Sequence, residues 1–231
     1  MHRELLILGC ACLSSLALGV VPSTAQAPAP WHDSLLTRVE ALALLQTLNA
    51  DLLSHDSATL TLDGWCERHR LASPPQVVAE PVPGLDKPPT AAQRAELRVS
   101  AAEPVRYRHV RLRCGEHVLS EAENWYVPAR LTPDMNRQLE ATDAAFGRVV
   151  RPLQFRRQTL EATLLWSPLP PGWESTQPVA PQEPAAGGRL EPPHEVLRHR
   201  ALLLLPDGMP ISEVTETYTS AVLAFPEPPP H

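Results

Sequence analysis

Between residues 34 and 54 the chain reads SLLTRVEALALLQTLNADLLS, with Leu35, Leu36, Val39, Leu42, Leu45, Leu48 and Leu52 recurring at helical spacing behind Asp33 and Ser34 as cap candidates. The pattern predicts an amphipathic helix, followed by a shorter helical segment that Asp56 and Ser57 can start. In the middle of the chain the period falls to two. The stretch RYRHVRLRCGEHVLSEAENWYVP predicts a β-hairpin over 105–114 and 117–127, turning at Gly115-Glu116. Next comes LTPDMNRQLEAT, a helix with Thr132 as N-cap and Pro133 in its first position. Residues 149–166 return to extended structure, and EVLRHRALLLLPDGMPISEVTETYTSAVLAF predicts a second long hairpin about Asp207-Gly208. This order predicts an α+β fold: a single antiparallel β-sheet with helices covering one face.

Composition narrows the picture. A chain of 231 residues that is 43% hydrophobic has room for one domain with an ordinary core. Its 27 prolines concentrate in 73–89, 167–193 and the closing FPEPPPH, each of which reads as loop or tail. At the other end, Arg3, the apolar run Leu5 to Val21 and the small pair Ser23/Ala25 read as a signal peptide over 1–25, cleaved near Ala25, rather than a membrane helix. The expectation is therefore a domain over 26–231 with a Pro-rich insertion at about 167–193 and a Pro-rich C-terminal tail. It is periplasmic or secreted, with no stable membrane anchor after cleavage. Cys10 and Cys12 leave with the leader; Cys66 and Cys114 remain, as one disulfide or as two buried small hydrophobes. With a formal net charge of -6, the chain offers no broad basic surface to neutralise phosphates, so nucleic acid is not expected as a partner.

Alternation also sorts charged residues by face. Val110, Leu112 and Cys114 share a face with Arg108, while His109, Arg111 and Arg113 lie opposite. Near the C-terminus Val214 and Tyr218 share a face with Glu216, while Glu213, Thr215 and Thr217 lie opposite. A buried charge needs compensation, so Arg108 and Glu216 either pair with each other or line a polar pocket on the covered face. Other candidates read more plainly. In HEVLRH the two histidines are five apart on a strand, which does not suit a zinc-protease helix, and they read as exposed hairpin residues. Trp125 and Tyr126 read as sheet packing, and the arginines of FRRQ as a solvated strand face.

With these residues placed, the chain resembles the chorismate lyase family. The resemblance is carried by Asp56-Ser57-Ala58-Thr59, Arg108-His109-Val110-Arg111-Leu112, Tyr126-Val127-Pro128 with Leu131, Ala145-Phe146-Gly147-Arg148, and Gly208-Met209-Pro210-Ile211 leading to Thr215-Glu216. They keep the family's order between about Leu35 and Phe225. The resemblance implies a lyase that releases pyruvate from chorismate, or a close analogue, to give a hydroxybenzoate. Arg108 would hold a substrate carboxylate, and Glu216 would hydrogen-bond the 4-hydroxyl or act as acid toward the departing ether oxygen. Backbone N–H groups at Ala58 and Phe146 would donate to the second carboxylate. The implied partner is a chorismate-like dicarboxylate, and no metal or organic cofactor is called for. Two pocket positions depart from the family, Ala58 replacing a Met and Phe146 a Leu. Those departures and the leader favour an alternative: a non-catalytic envelope protein binding a small aromatic or carboxylate ligand on the same fold.

Overall fold

A computed structural model describes residues 31–84, 86–175 and 188–226; the leader segment and the middle of the Pro-rich insertion lie outside the described residues. The framework is a six-stranded antiparallel sheet in the order β1-β2-β3-β6-β5-β4. Its strands are β1 (Val77–Pro81), β2 (Arg106–Cys114), β3 (His117–Tyr126), β4 (Arg156–Leu164), β5 (Glu195–Leu204) and β6 (Pro210–Thr219). Two hairpins supply its centre. The first turns at Gly115, whose φ of +56° and whose approach to Ala72, 2.7 Å from where a Cβ would stand, leave room only for glycine. The second turns at Gly208, φ +82°. Asp207 Oδ1 caps that turn by accepting from Met209 N (2.9 Å).

One face of the sheet carries the main core. The helix α2 (Ala58–Arg68) covers it beside β1 and β2, α1 (Leu35–Ser54) packs on α2 and reaches β5 through Asn49, and α4 (Pro133–Ala141) and α5 (Phe146–Val149) cover the end near Tyr126 and Leu203. A six-residue helix, α3 (Ala91–Glu96), comes between β1 and β2 in the chain. The loop after it packs Leu97 on Trp125, Val127 and Leu202, which project from the second face. Ser34 closes a capping box with Thr37 at the start of α1. Cys66 of α2 and Cys114 of β2 are joined by a disulfide with Cα atoms 6.3 Å apart, which settles the fate of the two retained cysteines.

Three elements differ from their sequence reading. The Pro-rich stretch 73–89 is not all loop: Val77–Pro81 pairs with Val110–Cys114 as the edge strand β1. Pro81 is tolerated there because an edge strand leaves one row of backbone donors unused. Residues 149–166 do not run extended throughout. The chain first completes α5 and a 3-10 turn at Arg151–Leu153, and β4 starts only after Gln154 adopts φ +52°. Helix α1 is not simply amphipathic either. Leu45, Leu48 and Leu52 are fully buried, whereas Leu35, Leu36 and Val39 are 73%, 60% and 38% exposed, because they project from the opposite side.

Candidate functional site

The segments singled out in the sequence converge on one cavity at the covered face. Its walls include Ala58, Arg108, Phe146 and Glu216, all four expected site residues, together with Val110, Leu112, Asn124, Phe155, Arg157 and Val214. Strand parity is what aligns them. Val110 lies opposite Ala122, which lies opposite Glu216, so Arg108 and Glu216 project from neighbouring rungs of the same face. The cavity volume is about 40 Å³. That is room for roughly three water molecules, and so for a small ion or head group rather than a ring system in this conformation.

Local structure explains each motif. Asp56 Oδ1 accepts from Arg157 N (2.9 Å), fastening the α1–α2 link to the start of β4. Ser57 is the N-cap of α2, so Ala58 opens that helix with its N–H at the cavity wall. Gly147 permits α5 to meet this cap, since a Cβ there would stand 2.7 Å from Ser57 Oγ. Arg148 then fixes α5 by donating from Nη2 to Asp63 Oδ2 (2.7 Å) and from Nη1 to Val77 O (3.0 Å). Arg130 ties the segment after β3 to its surroundings, donating to Leu97 O (2.6 Å) and Pro210 O (2.5 Å).

The charges are arranged unequally. Glu216 pairs not with Arg108 but with Arg157, whose Nη2 lies 2.6 Å from Glu216 Oε2, both side chains being buried. Tyr218 Oη donates to the same oxygen (3.1 Å). Glu216 is thus an engaged ion-pair partner rather than the free acid that the family resemblance implied. Arg157 was expected on a solvated face; instead it is buried at the second position of β4. Arg108 donates from Nη2 to Ala144 O (3.0 Å) and forms no ion pair among the described residues. Burial draws its pKa below the ordinary value, against the raising influence of Tyr126 and Asp143.

Behind this pair sits His199, opposite Glu216 in the β5–β6 register and fully buried, not exposed as the hairpin pattern suggested. Its Nε2 donates to Asn49 Oδ1 of α1 (2.8 Å). Burial, with help from Arg157, lowers its pKa to about 4. Trp125 and Tyr126 are buried in the sheet, as their packing role predicts. Among the described residues no group of three or more His, Cys, Asp or Glu is placed to hold a metal ion.

Fold and site together define an α+β domain with a charged cavity between an antiparallel sheet and its covering helices. The chain belongs to the same family as the uncharacterised protein y4mC of Sinorhizobium fredii, with which it is 56% identical over 199 residues, covering 86% of this chain and 83% of that protein. No protein-family model matches the sequence. Among solved structures the chain is similar to the effector domain of PhnF from Mycobacterium smegmatis, at 13% identity and TM-score 0.46 over 71% of this chain and 89% of that one. It is also similar to the possible transcriptional regulator YydK from Bacillus subtilis, at 13% identity and TM-score 0.38 over 62% of this chain. The match spans 57% of the YydK chain. The assignment to the chorismate lyase family is thereby corrected: the family found is that of y4mC.

Proposed function

We propose that the protein binds a small anionic ligand, a carboxylate or similar head group carrying a short apolar body, in the cavity lined by Arg108 and Arg157. The observation that carries this reading is Arg108: of the carboxylates lining the cavity, Glu216 is paired with Arg157 and Asp56 accepts from the Arg157 backbone N–H, while the buried Arg108 guanidinium donates to the Ala144 carbonyl and forms no ion pair among the described residues. A buried cation without an ionic partner is costly, and an anionic ligand is the group that removes the cost. Arg157 Nε, buried with no hydrogen-bond partner, supplies a further donor, and Val110, Leu112, Phe146 and Phe155 supply apolar walls. Titration with formate, acetate, propionate and inorganic phosphate, followed by calorimetry, tests the reading. Saturable binding that disappears in Arg108→Gln is expected; no binding by any of these anions overturns it.

The export reading is retained as part of the proposal. Disulfides persist in oxidising compartments, and the Cys66–Cys114 bridge supports a route through the leader 1–25 to the periplasm or exterior. N-terminal sequencing of the protein from its host is expected to begin near Gln26, and a chain that retains Met1 overturns it.

A further inference from the structure

Helix α1 carries two apolar stripes, and only one is used by the core. The second consists of Leu36, Val39, Ala43, Gln46, Ala50 and Leu53, every one of them exposed. These residues follow one another at intervals of three, four, three, four and three, the spacing of a coiled-coil seam, with no charge on the seam. It runs for about 26 Å along the helix at 1.5 Å per residue. The seam is also symmetric about its midpoint. Turned end over end, Leu36 falls opposite Leu53, Val39 opposite Ala50, and Ala43 opposite Gln46, so the two leucines meet at the ends.

We infer that α1 is an interface with a second copy of this chain, the two helices packing antiparallel across a two-fold axis along this seam. A surface that is its own complement under an end-over-end turn is what an isologous contact requires. At the crossing Ala43 of each helix faces Gln46 of the other, so one side of each facing pair is small, and antiparallel alignment sets each helix's positive end beside the other's negative end. Among the segments outside the described residues, the leader alone is rich in large apolar residues. Once the leader is removed near Ala25, the residues before Trp31 are QAPAP, too short for the stripe. Of the other segments outside the described residues, 176–187 (TQPVAPQEPAAG) holds one large apolar residue, Val179, and 227–231 (EPPPH) holds none. This part of the argument rests on the export reading.

Sedimentation equilibrium of the full chain as produced by its host, with N-terminal sequencing of the same sample, tests the inference and that reading separately. A dimer mass is expected, falling to the monomer in Val39→Glu at the same concentration, with the carboxylate titration unchanged because Val39 does not line the cavity. Separate Leu36→Cys and Leu53→Cys proteins, mixed under oxidising conditions, should form the mixed disulfide faster than either links to itself. A monomer at every concentration, or a dimer that survives Val39→Glu, overturns the inference. So does a monomer beginning at Met1, which assigns the stripe to the chain's own leader, and so does a monomer that floats with phosphatidylcholine vesicles through Val39.

Discussion

Arg108 and Arg157 line the same cavity, yet of the two only Arg157 has a carboxylate at ion-pair distance among the described residues, Glu216 at 2.6 Å. The two arginines should therefore answer opposite questions when removed. Arg108→Met relieves a buried cation and keeps apolar volume, so thermal melts of the ligand-free protein should show equal or greater stability. Carboxylate affinity should fall by about 2–4 kcal/mol, the scale of a lost charged hydrogen-bond partner. A loss of stability without a loss of affinity would mark Arg108 as structural.

Arg157→Ala strands Glu216 in the interior and should cost about 3–5 kcal/mol in urea unfolding. Arg157→Met combined with Glu216→Gln should recover most of that loss, since the neutral amide still accepts from Tyr218 and neither position is left as an uncompensated charge. Failure of the double variant to recover would show that the ion pair does more than neutralise itself.

Acid should weaken the fold through His199. Its folded-state pKa, about 4, lies below the ordinary 6.5, so the unfolded chain binds more protons between those values. The neutral imidazole's contribution is complete above about pH 6.5 and is lost as pH falls toward 4, about 3 kcal/mol in all. Glu213 acts in the opposite sense. Burial beside Glu96 raises its pKa, so its contribution is present in acid and lost as pH rises through the raised value. Comparing melts of the parent with those of His199→Gln isolates the histidine, and the difference between the two should flatten above pH 6.5.

The Cys66–Cys114 bridge closes a loop with a sequence separation of 48, for which chain entropy gives about 4 kcal/mol of stabilisation. Reductant, or Cys66→Ala with Cys114→Ala, should lower the melting temperature, and alkylation with and without reductant should differ by two thiols in the mature chain. Equal labelling in both conditions would refute the bridge.

Both central hairpins were legible because period-two alternation flanks Gly115 and Gly208, where the backbone needs positive φ. The same parity placed Arg108 and Glu216 on the covered face. Arg157 was not legible, since alternation in FRRQ separates Arg156 from Arg157 without saying which faces inward. The 3-10 turn and the left-handed Gln154 that set the phase of β4 carry no such signal. Strand β1 was hidden among prolines, and His199 read as surface because its partner, Asn49, lies 150 residues away on α1. The doubled leucine pattern of α1 was visible as periodicity, but its division between core and solvent depends on what the sheet covers.

The strand order has a kinetic consequence. The β2–β3 and β5–β6 pairs each close over a few residues, so both can form while the rest of the chain is still searching. Only the β3–β6 seam must bring together residues such as Ala122 and Glu216, about ninety positions apart, and that closure bears most of the entropic burden that slows sheets of high contact order. The Pro-rich link between β4 and β5 lies inside this closure, but loop entropy grows only with the logarithm of length, so lengthening the link adds a few tenths of a kcal/mol at most, roughly (3/2)RT times the logarithm of the length ratio. Insertions there should change the refolding rate far less than a single glycine placed in β3 or β6.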